Sequence, residues 1–328
     1  MTRCNTTDGG SLSFGSRLGL RIAADHSFVV LLALLIALLL AVQIIRPGTV
    51  SSGWVSNIVL FAAPLGLLAG AQTLVLLTGG IDLSVASIAT AAAYVMATNV
   101  EIGVAPALAL GLLISILVGL LNGIGIALFR VLPMIMTLGT SLMVMGLLTV
   151  YSQIAMAQRS GVPEFLLFLG STKIGGLVPC SLFVWLPVGA ILILGLSRSG
   201  FGRSLYAVGD NPKACTIAGI RIWKVLIADY VASGVLSGVA GLLLIGSTNA
   251  ADLGLANTYL LPSVAAAVIG GTSIFGGRGG YGGTVIGAFI LTILESLMTL
   301  LNASEPIKQI IYGSVILLIA TGYTKLSK

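Results

Sequence analysis

Ten stretches of mainly apolar residues recur along this chain, and each is about as long as a helix that crosses a lipid bilayer. Such stretches form helices in a membrane, because a helix satisfies its own backbone hydrogen bonds. The third and the eighth are short and rich in small residues. The stretches are 27–45, 55–77, 84–99, 104–129, 132–155, 181–197, 225–246, 260–275, 282–300 and 307–323. We therefore predict an all-α polytopic membrane protein with about ten transmembrane helices.

The balance of residue types agrees with this class. Of the 328 residues, 57% are hydrophobic and only 8% are charged, whereas about a quarter of the residues in a soluble domain are charged. Arg17 and Arg21, followed by apolar residues 28–45, could belong to a cleaved signal peptide. However, this stretch is longer than a typical signal core, and no small-x-small site closes it. We interpret it as the first membrane helix.

Lysine and arginine are distributed unevenly between the connecting segments. With the N-terminus inside and ten crossings, twelve of them fall in cytoplasmic segments and four in outer segments. The cytoplasmic ones are Arg3, Arg17, Arg21, Arg130, Arg198, Arg203, Lys213, Arg221, Lys224, Arg278, Lys325 and Lys328, and the outer ones are Arg46, Arg159, Lys173 and Lys308. This bias follows the positive-inside rule. It predicts a transmembrane domain 27–323 between two cytoplasmic tails, 1–26 and 324–328.

Missing motifs exclude several functional classes. The chain contains no Gly-Lys pair and hence no nucleotide phosphate-binding loop of that type. Its basic residues are scattered, which argues against a nucleic-acid surface. The three cysteines share no CxxC spacing and the lone His26 precedes an apolar stretch, so no disulfide framework and no metal site is predicted. Without a catalytic set either, we expect neither enzyme activity nor a cofactor in this chain.

Small residues at helical spacing predict close helix packing. Gly119 and Gly123 stand four residues apart, and so do Gly234 and Gly238. Such spacing lets backbones approach in a membrane, where the lipid offers no hydrophobic drive for helices to associate. Pro64, in the middle of the second stretch, predicts a kink.

The segment LLTGGIDLSVAS (76–87) interrupts two apolar stretches. Gly79 and Gly80 should break the helix, Asp82 adds a charge, and Ser84 can cap the helix that follows. Broken helices in membrane proteins line cavities, where unpaired backbone is tolerated. The alternative is an ordinary cytoplasmic turn with a solvated Asp82, and the local sequence leaves both open.

A second break is rich in glycine. The run VIGGTSIFGGRGGYGGTVIG (268–287) has no strand before it and no suitable Lys or Asp after it, so a phosphate-binding loop is not indicated. We predict a tight re-entrant turn that contacts a neighbouring helix or subunit. Its residues are Gly270, Gly271, Gly276, Gly277 and Arg278, with the arginine on the cytoplasmic side.

The cytoplasmic segment 198–224 contains the signals of one short helix. Asp210 or Asn211 suits the N-cap, Pro212 suits the first helical position, and Gly219 suits the end. We expect its apolar side to consist of Ala214, Ile217 and Ala218. A helix this short is marginal in water, so it should pack either on its own membrane domain or on a cytoplasmic partner. We favour the partner.

Two further carboxylates, Asp229 and Glu295, fall inside predicted spans. Acidic residues inside a membrane are functional candidates by default. Both lie near the ends of their spans, however. We therefore interpret them as packing or interface residues rather than as a proton relay.

Four segments together resemble the ribose-type permease family of ATP-binding-cassette importers. They are LLTGGIDLSVAS, PMIMTLGT (133–140), GRSLYAVGDNPKACTIAGI (202–220) and VIGGTSIFGGRGGYGGTVIGAFIL (268–291). The departures from the family pattern are Ala86, Asp210, Met134 and Met145, and the two methionines fall where the solute path is expected.

The resemblance implies a bacterial inner-membrane complex. It would contain two permease subunits, identical or homologous, with a cytoplasmic ATPase that binds ATP and a periplasmic solute-binding protein. The solute is usually a monosaccharide, and related branches carry nucleosides or a furanone derivative. The resemblance assigns ATPase coupling to residues 210–219 and makes Thr137 and Gly139 translocation-path candidates beside Gly79, Gly80, Asp82 and Ser84.

Two other functional classes compete with a permease. An ion-coupled carrier would need acidic or polar sites at the membrane midplane, where Asp229 and Glu295 are poorly placed. An intramembrane enzyme would need a catalytic constellation, which the sequence lacks. The permease remains the preferred interpretation.

Overall fold

The computed structural model describes the backbone of residues 14–155 and 161–326, with the side chains of residues 29–154, 161–314 and 317. Several residues used in the orientation argument, among them Arg3, Arg159 and Lys328, lie outside the described residues, as do residues 1–13 and 327–328 of the two predicted tails.

Thirteen α-helices dominate the described part of the chain. They are α1 (Phe14–Ile45), α2 (Ser52–Leu77), α3 (Val85–Thr98), α4 (Val104–Ala127), α5 (Pro133–Ala155), α6 (Glu164–Ser171), α7 (Leu182–Arg198), α8 (Gly200–Asp210), α9 (Pro212–Ile217), α10 (Ile222–Thr248), α11 (Leu260–Ile269), α12 (Tyr281–Leu300) and α13 (Glu305–Leu326). Two short 3-10 helices, Val100–Ile102 and Asn257–Tyr259, and an antiparallel hairpin of β1 (Lys173–Ile174) and β2 (Val178–Pro179) complete the regular structure. The all-α prediction is confirmed.

Each of the ten predicted stretches is occupied by a helix. Within the described residues, α2, α4, α5, α10 and α12 are long and apolar enough to cross a membrane, and α7 with α8 forms a sixth candidate bent by 67°. The two short stretches form helices of 14 and 10 residues, α3 and α11. The full count of ten crossings and the cytoplasmic termini stay predictions.

The first helix begins earlier than the sequence predicted. We expected a tail up to residue 26, but α1 starts at Phe14. No proline lies between residues 14 and 26, so nothing in the local sequence forces the helix to end where the apolar stretch ends.

The centre of the bundle is α2, most of whose residues are buried and which continues through Pro64. Among the described helices, α4 and α10 make the most extensive contact. A Cβ atom on Gly119 would lie 2.4 Å from the Tyr230 carbonyl oxygen, and one on Gly234 would lie 2.4 Å from the Ser115 carbonyl oxygen. The close approach predicted from the spaced glycines is therefore confirmed.

Some elements were not predicted. Segment 156–180 contains α6 and the β-hairpin, and segment 198–224 contains two helices rather than one. Three glycines in α8, Gly200, Gly202 and Gly209, gave it the composition of a loop, because glycine disfavours helix. Its apolar side chains Leu205 and Val208 are buried, so tertiary packing outweighs the weak local propensity.

The outer surface of the bundle is apolar. On α5, the side chains of Leu142, Leu147 and Ile154 are 67%, 72% and 71% exposed. A surface of this kind is stable only against lipid or another apolar protein surface. The predicted bilayer environment agrees with it.

Candidate functional site

Asp82 lies at the break between α2 and α3, and its side chain is fully buried. One carboxyl oxygen accepts hydrogen bonds from the backbone N–H of Ser84, at 2.9 Å, and from the Ser84 hydroxyl. The other accepts from the Ser233 hydroxyl on α10 at 2.8 Å. Asp82 is therefore not a solvated residue of an ordinary turn, and that alternative is wrong.

The backbone at the break is held by α2. The Gln72 side chain donates to the carbonyl oxygen of Asp82 at 2.6 Å and accepts from its N–H at 3.3 Å. Gly79, at φ +79°, permits the turn that ends α2. The backbone groups of Asp82, which have no helical partner at the break, thus form hydrogen bonds with the buried Gln72 side chain. A membrane interior requires that such groups are paired.

The hydrogen bonds continue to two more helices. The Asn122 side chain on α4 donates to the Ser84 hydroxyl at 2.8 Å, and the Thr140 hydroxyl on α5 donates to the Asn122 side-chain oxygen. We call this set the Asp82 network, and it joins α2, α3, α4, α5 and α10. Its members are Gln72, Asp82, Ser84, Asn122, Thr140 and Ser233, all fully or almost fully buried.

The predicted role of Ser84 as a capping side chain is wrong in detail. Ser84 does occupy the N-cap position of α3, but its side chain accepts no capping hydrogen bond from the helix. Its hydroxyl instead donates to Asp82. Burial explains the difference, since a buried carboxyl needs donors more than an N-terminal turn needs another acceptor.

Thr137 and Gly139, the candidates from α5, are separated by the structure. Thr137 is buried, and its hydroxyl oxygen accepts from the Leu83 N–H at 3.0 Å. Gly139 is exposed, and a Cβ there would meet nothing within 4 Å. Only Thr137 therefore reaches the helix break.

A second buried carboxylate lies beside the break. Asp229 is fully buried, which agrees with a packing residue, one of the two predicted alternatives, rather than with an exposed interface residue. One oxygen accepts from the Thr78 hydroxyl at 3.1 Å, and the other has no partner among the described residues. Gly80 is packed tightly here, because a Cβ on it would lie 2.7 Å from the Tyr230 hydroxyl.

The end of α2 meets two other segments at a point that we call the backbone junction, formed by Leu77, Gly209 and Gly277. The Gly277 N–H donates to the Leu77 carbonyl oxygen at 3.0 Å. A Cβ on Gly209 would lie 1.8 Å from that oxygen and 2.6 Å from the Gly277 nitrogen. The junction brings together the first helix break, the end of α8 and the glycine-rich turn. From the sequence, these had been predicted as separate sites.

The glycine-rich turn connects α11 to α12 as predicted. Gly271, Gly276 and Gly277 have positive φ values, and a Cβ on Gly270 would lie 2.4 Å from the Thr284 nitrogen of α12. The side chain of Arg278 is exposed. The expected close backbone contact with a neighbouring helix is present.

The short helix α9 follows its predicted cap signals. The Asn211 side chain accepts from the Ala214 N–H at 3.0 Å, Pro212 is the first helical residue, and Gly219 has φ +77°. Asp210 is the last residue of α8 and not the cap. Of the two cap candidates, Asn211 is therefore the one in use.

The side chains of α9 lie in two different environments, one buried and one exposed. Cys215 is buried against the rest of the chain. The predicted apolar residues Ala214, Ile217 and Ala218 are exposed, Ile217 by 89%. Its own membrane domain thus covers only one side of α9.

Sequence reasoning missed the polar residues that complete the site. Gln72, Asn122, Thr140 and Ser233 lie within apolar stretches, where polar side chains are costly unless paired, and Thr78 lies just beyond one. That signal could have identified them, although not their partners. Within the described residues, no cluster of three His, Cys, Asp or Glu side chains could hold a metal ion.

Comparison with known proteins places this arrangement in a family. Residues 54–320 match the family described as "Branched-chain amino acid transport system / permease component". The chain is 34% identical over 286 residues to the ribose import permease protein RbsC of Bacillus subtilis (strain 168), covering 87% of this chain and 88% of that protein.

Two further relatives match a similar share of the chain. The fructose import permease protein FrcC of Rhizobium meliloti is 33% identical, with 88% of this chain and 82% of that protein covered. The ribose import permease protein RbsC of Escherichia coli (strain K12) is 32% identical, with coverages of 87% and 90%. No solved structure matches the chain. The resemblance inferred from four sequence segments is confirmed, and the chain belongs to the ribose-type permeases of the branched-chain amino acid transport permease family.

Proposed function

We propose that this chain is the membrane-spanning permease subunit of a bacterial ATP-binding-cassette importer. It translocates a small polar solute, a monosaccharide such as a pentose or hexose, by alternating access driven by a separate ATPase. The solute class is supported by the relatives, whose names describe ribose and fructose import. The mechanism is supported by one observation, the exposed and capped helix α9 that follows directly on the backbone junction.

The exposed side of α9 suits a cytoplasmic partner. Ala214, Ile217 and Ala218 offer a small apolar surface, while Cys215 anchors the helix to the chain. The Asn211 cap and the positive φ of Gly219 fix both helix ends. A short element that is rigid at both ends can transmit the movement of a docked ATPase.

The backbone junction carries that movement into the membrane. Asn211 caps α9 immediately after α8, whose Gly209 touches Leu77 at the end of α2. The Tyr206 hydroxyl adds a hydrogen bond to the Gly279 carbonyl oxygen at 2.8 Å. A displacement of α9 therefore acts on α2 and on the glycine-rich turn together.

The Asp82 network then couples the helix break to the rest of the bundle. Because it links five helices through buried hydrogen bonds, these helices move as one body or exchange partners together. In this conformation the carboxyl of Asp82 faces protein donors. Its role is to hold the break, and the solute path lies elsewhere on the bundle or opens only in another state.

The proposal includes the partners that such an importer needs. A cytoplasmic ATPase supplies ATP hydrolysis, a periplasmic binding protein delivers the solute, and a second permease subunit, identical or homologous, completes the pathway in the inner membrane. Interactions between two such subunits suit the exposed apolar surface of α5. This chain itself needs no cofactor.

Two alternatives make different predictions. A nucleoside or another small solute could replace the sugar without any change in mechanism. An ion-coupled carrier would find support in the unpartnered oxygen of Asp229, but that residue lies about two turns from the start of α10 rather than at its middle.

Uptake by reconstituted liposomes distinguishes these possibilities. Liposomes that contain this chain, its ATPase and its binding protein should accumulate labelled ribose or fructose only with ATP on the ATPase side. An ATPase variant without its phosphate-binding lysine should abolish uptake, and an ionophore that collapses ion gradients should not. Uptake by this chain alone along an ion gradient would disprove the proposal. Accumulation of a labelled nucleoside in place of sugars would correct the solute only.

A further inference from the structure

A cavity of about 610 Å³ lies where α1 ends, α2 begins and α12 ends. Since α2 runs from this cavity to the backbone junction, the cavity belongs to the opposite membrane face from α9. Its lining combines the charged side chains of Arg46 and Glu295 with polar and aromatic groups, among them Asn57 and Trp54. The Asp82 network does not contribute to it, so this is a separate site.

The two charged side chains of the cavity have opposite sign and make no direct ion pair in the described part of the chain, and the charges of Lys308 and Glu305 lie near Glu295. The ion pair found there joins Lys308 to Glu305, and none involves Arg46 or Glu295. Glu295 is half-buried on α12, and Arg46 is exposed just beyond the end of α1. A half-buried carboxylate is costly in a membrane protein unless a cation accompanies it. Because Glu295 and Glu305 share the single cation of Lys308, one negative charge near Glu295 stays unbalanced. Together with the positive charge of Arg46, this favours a ligand that carries both charges.

A second cavity adjoins the first and is apolar throughout. It has a volume of about 330 Å³ and lies between α1, α2 and α12, lined by side chains such as Leu39, Val55 and Phe289. Trp54 and Ile58 line both cavities. The Trp54 indole N–H donates to the Ser296 hydroxyl at 3.1 Å, which fixes the ring at the boundary. Tryptophan commonly occupies the level of lipid head groups.

We propose that the two cavities together bind one glycerophospholipid with an ethanolamine head group. The phosphate lies at Arg46, because a guanidinium group is suited to phosphate. The ammonium group lies at Glu295, and an acyl chain occupies the apolar cavity beneath Trp54. Such a lipid carries one negative and one positive charge at one end and hydrocarbon at the other. Its charged end therefore matches the cavity lined by Arg46 and Glu295, and its hydrocarbon end matches the apolar cavity. A soluble zwitterion would leave the apolar cavity empty.

Titration of lipid into the purified full-length chain tests this site. Delipidated protein in detergent is mixed with dioleoyl phosphatidylethanolamine or dioleoyl phosphatidylglycerol, and bound lipid is measured by native mass spectrometry. We expect the ethanolamine lipid to bind about fivefold more tightly, since loss of one ionic contact costs about that factor. Glu295→Gln should remove the preference, and Arg46→Gln should weaken both lipids. Glu164→Gln, which removes an exposed carboxylate outside the cavity, is the matched control.

The apolar cavity is tested separately. Val55, which is 45% exposed and lines that cavity, can be enlarged without entering the protein core. We expect Val55→Trp to weaken binding of the ethanolamine lipid. Its elution profile in size-exclusion chromatography should stay that of folded protein. Equal binding of the two lipids by the parent chain, or an unchanged preference in Glu295→Gln, would overturn the proposal. Competition by glycerophosphoethanolamine, the head group without acyl chains, as strong as that of the intact lipid would do the same.

Discussion

Asp82 shows how a carboxyl group is accommodated inside an apolar bundle. It is buried, and its oxygens accept hydrogen bonds from the N–H and hydroxyl of Ser84 and from the hydroxyl of Ser233. A buried donor that loses its acceptor pays its full desolvation cost. The residue therefore stabilises the helix break through the groups that depend on it.

Removal of this carboxyl should destabilise the protein. We expect Asp82→Ala to lower the free energy of unfolding by about 1–3 kcal/mol, because it leaves buried donors without partners. Asp82→Asn, which keeps one accepting oxygen, should cost less. The measurement is the thermal unfolding midpoint of the purified full-length chain.

The control for Asp82 is an exposed aspartate with a comparable local bond. The Asp252 side chain accepts from the Gly254 N–H at 2.6 Å but is exposed. Asp252→Ala should shift the midpoint little. Equal shifts in Asp82→Ala and Asp252→Ala would show that the Asp82 network does not stabilise the fold.

Gly209 offers a second residue-level test, at the backbone junction. We expect Gly209→Ala to destabilise the chain by about 1–3 kcal/mol, as overpacked cores do, because the new Cβ would collide with the Leu77 carbonyl oxygen. Transport should fall as well, since the junction would be pushed apart. Thermal unfolding and uptake are measured on the same variant.

Gly195 on α7 provides the matched control for Gly209. A Cβ there would meet nothing within 4 Å. Gly195→Ala should leave stability unchanged or raise it, because alanine favours helix over glycine. If both variants behave alike, the short distances at the junction have no energetic consequence.

At the scale of elements, α9 is the part whose shape and exposure point to a partner. It is only six residues long, and isolated helices of that length do not persist in water. Its Asn211 cap, its buried Cys215 and the turn at Gly219 hold it in place. Because α9 is held at both ends and its apolar side chains are exposed, it is suited to docking of a partner protein.

Substitutions on α9 should separate membrane insertion from coupling. We expect Ala218→Arg or Gly219→Val to leave insertion intact, abolish uptake and weaken copurification of the ATPase. The arginine obstructs an exposed face, and a β-branched residue at φ +77° is strained by about 1–3 kcal/mol. Asn302→Arg, beyond the end of α12, should leave ATPase association unchanged. Normal uptake together with normal ATPase association in Ala218→Arg would exclude α9 as the coupling element.

At the scale of the whole molecule, two opposite surfaces are defined by the ends of α2. The backbone junction and α9 lie at one end, and the cavity between Arg46 and Glu295 lies at the other. The uneven distribution of basic residues predicts that the α9 surface is cytoplasmic.

Cysteine labelling tests this orientation. In a background without Cys4, Cys180 and Cys215, a cysteine introduced by Arg159→Cys should react with an impermeant thiol reagent added to intact cells, and one introduced by Lys213→Cys should not. Arg159 lies outside the described residues, so Glu164→Cys, at the exposed start of α6, is a second outer position. Labelling of Lys213→Cys alone would reverse the predicted topology.

Much of the fold could be predicted because its signals are local. The apolar stretches gave the positions of ten helices, the spaced glycines gave the close packing of α4 with α10, and the residues from Asn211 to Gly219 gave α9 with its caps. By contrast, α8 was missed, since its glycines disfavour helix and only burial of Leu205 and Val208 stabilises it.

The sequence by itself determined that this chain is an all-α membrane protein, because length, hydropathy and cap residues act within one helix or one turn. Its four motif segments, by their resemblance, identified the ribose-type permease family. Only the tertiary structure decided that Asp82 is buried among donors from α3 and α10, that Gly139 faces away, and that Leu77, Gly209 and Gly277 meet at one point. Partners so distant along the chain are selected by packing and by the need to satisfy buried polar groups. That selection depends on the whole bundle and leaves no pattern in any single segment.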